Sequence, residues 1–236
     1  MFEEKIIKIS NIDYINVQNE EINFLVSLKN DEGDYKRDRI EFSAQLAELR
    51  DELKLKDIGY LHQIHSSSIN IYDGTIKEAD AIISDKKGVG VCVYTADCVP
   101  ILVKHKFLEI KAAIHSGWKG TYDIILYKTI KFLESEYNIS SRDLIFLVGP
   151  HIRDCCYEVS KEIVDDFNNN KFYKGKDISH GRMLNLTKCI ELQLEAAHAL
   201  KENCKTLLEC TKCSDEYRFH SYRNNKECGR MISLVY

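Results

Sequence analysis

The sequence predicts an α+β fold, a single domain spanning residues 1–236, in which mixed or antiparallel sheet is accompanied by helices. Short β-branched runs crowd the middle of the chain, and apolar residues recur at helical spacing in a few separate segments. These two kinds of element do not alternate as regular βαβ units. No repeat, low-complexity tract or Pro/Ser-rich linker divides the chain, whose only prolines are Pro100 and Pro150.

The first segment reads as strands at Lys5 to Ile9 and Ile22 to Leu28, separated by polar turns. From Glu41 to Leu55 the period changes, and Phe42, Leu46, Leu49 and Leu53 mark one face of a helix. Asp57 to Tyr60 is a turn leading into Leu61-His62-Gln63-Ile64-His65. Strands then follow at Ala81 to Ile83, Gly90 to Tyr94, Val99 to Val103 and Ile110 to Ile114, with a helical pattern over Tyr122 to Tyr137. Leu144 to Val148 is a buried strand ending at Gly149-Pro150, and Ser160 to Asn168 a short helix. The clearest helix is Asn185 to Glu202, with Leu186, Ile190, Leu194, Ala197 and Leu200 near one face.

The formal net charge of -4 excludes a general affinity for phosphate backbones, so nucleic acid is not an expected partner. The run Lys36-Arg37-Asp38-Arg39 mixes both signs and reads as solvated surface. The amino terminus, with Glu3 and Glu4, lacks the basic start and apolar run of an export signal, and no stretch approaches the ~20 apolar residues of a membrane span. The expected location is cytoplasmic, as a monomer or homodimer. Nine cysteines, an odd number without an export signal, argue against a disulfide framework. Cys92, Cys189, Cys204 and Cys228 read as small buried hydrophobes. Cys155-Cys156 and Cys210-Thr211-Lys212-Cys213 read as structural too, because adjacent cysteines are poorly arranged to complete a zinc site.

Three metal-capable side chains sit beside the ends of expected strands: His65, Cys98 and His115. Imidazole and thiolate suit zinc, and two His with one Cys leave a fourth tetrahedral position for water or substrate, as catalytic sites require. Spacing alone is weak support. Taken singly, each His or Cys reads more often as a structural residue than as a ligand.

Ordered blocks extend the pattern: Gln63-Ile64-His65, Ala79-Asp80-Ala81, Thr95-Ala96-Asp97-Cys98-Val99-Pro100, His115-Ser116-Gly117-Trp118-Lys119-Gly120, Gly149-Pro150-His151-Ile152, Cys155 to Val159, Phe219 to Arg223 and Gly229-Arg230. Together they resemble the YfiH/LACC1 family, also called the polyphenol oxidase or purine nucleoside phosphorylase family, from about the first helix onward. That resemblance implies a CNF1/YfiH-like single domain with zinc held by His65, Cys98 and His115. It also implies phosphorolysis of adenosine, inosine, guanosine and S-methyl-5'-thioadenosine, and hydrolytic deamination of adenosine, so the expected partners are purine nucleosides and phosphate. Ser116 stands where the family usually has Ala. The family's Asn-Arg pair near the first helix is not evident; Arg37, Arg39 or Arg50 could substitute.

In that reading Asp97 is either a base or an anchor for the ligand turn, alongside Cys98 and His115 as catalytic residues. Arg223 and Arg230 have the forked geometry to hold phosphate, and Gln63, Trp118 and Lys119 would flank a purine. Gly120, placed before a helix, could expose amides to an anion. Three alternatives stay open, one of them a non-enzymatic binding module whose zinc only holds the fold together and which binds a nucleoside without turnover. Copper (Cu2+) could replace zinc in a laccase-like oxidase, although phenol oxidation normally needs several copper ions and more His ligands. Alternatively Cys98 and His115 could act without metal as nucleophile and base, as in the deamidase domain of cytotoxic necrotizing factors, which the fold resembles.

Overall fold

Strands covered on both faces read as unbroken apolar runs, and the central strands of this chain do so because each is sandwiched between layers. The computed structural model describes residues 2–19, 22–30, 34–38 and 41–236. In chain order the elements are β1 (Glu3–Ile9), β2 (Ile12–Gln18), β3 (Asn23–Ser27), α1 (Phe42–Glu52), β4 (Asp57–Gly59), β5 (Ile69–Ile71), β6 (Ala81–Ser84), β7 (Val89–Thr95), β8 (Val99–His105) and β9 (Lys111–Ser116). There follow α2 (Trp118–Tyr122), α3 (Ile125–Tyr137), β10 (Leu144–Val148), α4 (Lys161–Asn169), β11 (Ser179–His180), β12 (Met183–Leu184), α5 (Leu186–Ala196), β13 (Cys204–Thr206) and β14 (Met231–Val235).

Two six-stranded sheets form, in the orders β1-β2-β3-β14-β7-β4 and β13-β10-β8-β9-β6-β5. Most pairs are antiparallel; β4 with β7, β10 with β13 and β5 with β6 are parallel. The expected α+β class with mixed sheet is what forms. Side-chain alternation assigns the layers. Val91 and Val93 of β7 meet Leu102, Ala113 and Leu147 of the second sheet in a core between the sheets. The opposite face of β7, Cys92 and Tyr94, packs under α1 with Leu46 and Leu49. On the far side of the second sheet, Ile101, Ile114 and Phe146 pack against Leu126 and Ile130 of α3 and Ile190 of α5. The layers therefore run helix, sheet, sheet, helices.

Expected helices overshoot at three places, each for the same reason. Lys54, Ile124 and His198 have φ of 55°, 52° and 60°, left-handed conformations that end a right-handed helix. Thus α1 stops at Glu52, the single helix expected over Tyr122 to Tyr137 is divided into α2 and α3, and α5 stops at Ala196, short of Glu202. None of these is glycine, so composition gave no warning. Gly120 lies inside α2, not before a helix, and a Cβ there would meet the Ser66 carbonyl at 3.1 Å, which removes it as an anion-binding start.

Candidate metal centre and cavity

The site forms where the chain passes between sheets. β7 belongs to the first sheet and β8 to the second, and the turn joining them, Ala96-Asp97-Cys98, delivers the Cys98 thiol to the crossing point. His65 lies on the connection from β4 in the first sheet to β5 in the second. His115 projects from β9, opposite Pro100 of β8. Candidate ligand atoms from His65, Cys98 and His115 all lie within 4.8 Å of one another, and the two imidazole rings stand edge to face, 4.7 Å between centroids.

Two residues of the site carry backbone strain. His65 (φ 57°) and Asp97 (φ 88°) both occupy left-handed conformations, costing about 1–3 kcal/mol each. Hydrogen bonds hold them there. The buried Asp80 carboxylate accepts from the amides of Ile64, His65 and Ser66 and from the Ser66 hydroxyl, with the His65 amide at 3.0 Å. The same carboxylate meets His115 Nδ1 at 2.8 Å, leaving Nε2 of that ring for the cluster. Asp97 is held by the Thr211 hydroxyl at 2.6 Å and the Arg223 amide at 2.8 Å, while its carbonyl accepts from the Ile152 amide at 3.0 Å. Both Asp97 oxygens are thus engaged in fastening the turn that carries Cys98.

Electrostatics follow from this packing. Burial works against a thiolate at Cys98, but the facing His115 and His65 outweigh it and bring the thiol down to about 6. Burial likewise opposes charge on His115, and Cys98 and Asp80 overcome it, raising the imidazole to about 9. Asp80, despite desolvation, is held below the usual carboxylate range by His115 and the Ser66 donors. The three side chains fit a zinc ion: one ready thiolate and two imidazoles, one of them oriented by a carboxylate. Their cradle is also tight. A Cβ at Gly117 would stand 3.0 Å from Cys98 Sγ and 3.2 Å from His65 Cδ2, so only glycine leaves this approach clear.

The cluster opens into a cavity of about 970 Å³. Gln63, Trp118, Arg223 and Arg230 line it, as do Arg37, Arg182, Tyr157 and Tyr222. The Gln63 amide is occupied in pairing with the Tyr94 backbone, at 2.8 and 2.7 Å, and so braces the wall. Lys119 does not line the cavity; its ammonium lies over the Trp118 ring, 5.7 Å from the centroid. The Arg223 guanidinium lies over Tyr157, 5.0 Å from the ring centroid. Arg230 donates to the Cys228 and Gly229 carbonyls. Of the three substitute cations, Arg37 reaches the cavity, Arg50 pairs with Asp51 on α1, and Arg39 lies outside the described residues. Ser116 is satisfied by Thr121, hydroxyl to hydroxyl at 2.8 Å. The block Ala79-Asp80-Ala81 by itself assigns Asp80 no role; its one signal is a carboxylate immediately before the apolar strand β6.

The family model for the multi-copper polyphenol oxidoreductase laccase matches residues 23–236, nearly the whole chain. The chain belongs to this family. Relatives within the YfiH/LACC1 family include a purine nucleoside phosphorylase of Clostridium acetobutylicum, 42% identical over 190 residues that cover 79% of this chain and 80% of that protein. A purine nucleoside phosphorylase of Campylobacter jejuni is 32% identical over 91% of this chain and 96% of its own length. The YfiH/LACC1 fold is shared with YlmD from Geobacillus stearothermophilus (TM-score 0.84, 20% identity, 99% and 98% of the two chains). It is shared also with YfiH of Bacillus licheniformis (TM-score 0.81, 21% identity, 94% and 95% covered).

Proposed function

We propose that this chain is a zinc-dependent purine nucleoside enzyme. Its reactions are phosphorolysis of adenosine, inosine, guanosine and S-methyl-5'-thioadenosine to base and (methylthio)ribose 1-phosphate, and hydrolytic deamination of adenosine to inosine. The observation that carries this reading is the convergence of His65, Cys98 and His115 at the edge of a cavity large enough for a nucleoside, in a chain whose relatives bear the phosphorylase name. Zinc held by His65, Cys98 and His115 would supply a Lewis acid at the edge of the cavity.

The chain's own groups divide the remaining work. Asp80 fixes the ring orientation of His115 and the backbone that carries His65. Asp97 acts by holding the Cys98 turn to Thr211 and Arg223. Trp118, Tyr157 and Tyr222 supply the aromatic part of the cavity lining for a purine. Arg223, stacked on Tyr157, has its fork available to bind phosphate and to offset charge as the base departs. Arg37 and Arg230 also line the cavity.

A second reading has a specific observation in its favour: with the thiol lowered and the imidazole raised, Cys98 and His115 form the pair a metal-free cysteine hydrolase would use. Copper-based oxidation is disfavoured by the ligand inventory. Among the described residues the other metal-competent group is made of thiols, without the imidazoles of a multi-copper centre. The test is to incubate the protein with adenosine, with and without phosphate, and to resolve adenine, inosine, hypoxanthine and ribose 1-phosphate by chromatography. Phosphate-dependent adenine release that stops on chelation and returns with Zn2+ is expected. Turnover that survives chelation but not alkylation would establish the hydrolase instead.

A further inference from the structure

Four further thiols converge outside the cavity. Cys155 and Cys156 lie on the turn after β10, and Cys210 and Cys213 on the turn after β13. One sulfur from each lies within 4.8 Å of all the others, and Cys155 Sγ is 3.6 Å from Cys213 Sγ. Sulfurs around a tetrahedral zinc, with Zn–S near 2.3 Å, stand about 3.8 Å apart. The cluster is already close to that spacing.

The local backbone explains how adjacent cysteines take part, contrary to the sequence expectation that they could not. Residues 154–156 form a turn in which the amides of Cys156 and Tyr157 both donate to the Arg153 carbonyl at 2.8 Å. Side chains on such a helical turn diverge by about 100°, not the 180° of a strand, so both thiols can face one point. On the other loop, Ser214 N closes a turn onto the Cys210 carbonyl at 3.0 Å. The amides of Arg153, Lys212 and Cys213 are directed at Cys210 Sγ, Arg153 at 3.5 Å. Amide donors of this kind support a thiolate ligand. The loops are zipped together by pairing of His151 with Cys210 and by Thr211 N donating to the His151 carbonyl at 3.1 Å.

We propose that Cys155, Cys156, Cys210 and Cys213 form a second metal site, a closed four-sulfur cage for a thiophilic divalent ion such as Zn2+. With all four positions filled by protein, such a site is structural and not catalytic. The cage ties together loops that reach the cavity: Thr211, between its cysteines, holds Asp97, and Tyr157 follows Cys156. The proposal stands on the thiols alone and does not depend on the reading of the cavity.

The test uses reduced, anaerobic full-length protein reconstituted with Co2+, whose thiolate charge-transfer absorption grows with the number of bound sulfurs. His65, Cys98 and His115 can contribute one sulfur; the cage contributes four. A strong tetrahedral thiolate spectrum is expected in the wild type. It should survive in Cys98→Ala and be lost in Cys155→Ser and Cys213→Ser, two exposed positions. In unmutated protein, Zn2+ should shield these four thiols from a cysteine reagent, counted by mass spectrometry. Cobalt absorption unchanged by either serine substitution would overturn the proposal. So would equal labelling of the four thiols with and without Zn2+.

Discussion

At the scale of single residues, the cluster depends on one carboxylate, Asp80, that serves two of its candidate ligands. Asp80 orients His115 and clamps the backbone before His65, so Asp80→Asn is expected to lower zinc affinity by about 10–100-fold, as loss of such an orienting group typically does, measured by competition with a chromophoric chelator. His65→Ala, Cys98→Ala and His115→Ala should each abolish metal at this cluster and turnover together, leaving metal on the four-cysteine site in place. Full turnover in any of them would remove that residue from the reaction. In metal-free protein Cys98, lowered to about 6, is largely thiolate at pH 7, whereas Cys92 and Cys189 are pushed up to about 12 by burial. Iodoacetamide should therefore modify Cys98 well ahead of those two at neutral pH. Its rate should fall as pH drops through 6, and Zn2+ should protect it.

At the scale of elements, Gly117 sets how closely the start of α2 approaches the cluster. Gly117→Ala is compatible with its extended backbone (φ −71°, ψ 177°) but places a methyl against Cys98 and His65. A tenfold or greater loss of zinc affinity with little change in Tm is expected; unchanged affinity would show that the cradle has room to spare. The strands around this point were legible because burial on both faces leaves an uninterrupted apolar run, as in β8 and β10. β2 was not, since Asp13 and Asn16 interrupt its run, and β14 passed unmarked. Helix ends were misread where Lys54, Ile124 and His198 turn left-handed, a conformation imposed by packing that their residue types do not announce. His65, Cys98 and His115 stand out in ordered blocks of the sequence, and the fold brings them together. The roles of Asp80 and Asp97, and the meeting of four distant thiols, required contacts across 35, 114 and 58 positions of chain.

At the scale of the whole molecule, His151 links acid sensitivity to the packing of layers. It is buried, its Nδ1–H donating to the Gly149 carbonyl and its Nε2 accepting from the Thr187 hydroxyl, each at 2.8 Å. Burial therefore lowers it to about 4 from the ordinary 6.5. A histidine held neutral contributes stability in full above pH 6.5. That contribution is lost as pH falls from 6.5 to 4, because the unfolded chain binds the proton first; the loss is on the order of 3 kcal/mol. Urea unfolding across this range should show the decline, and His151→Asn should flatten it. An equal slope in the variant would place the acid sensitivity elsewhere.

β14 occupies the middle of its sheet, hydrogen-bonded to β3 on one side and β7 on the other. During synthesis those two strands therefore wait, each with a bare flank, until residues 231–235 have been translated. A growing chain is exposed to mispairing throughout that interval, and a ribosome-stalled product ending before Met231 should be captured by chaperones and cut readily by protease.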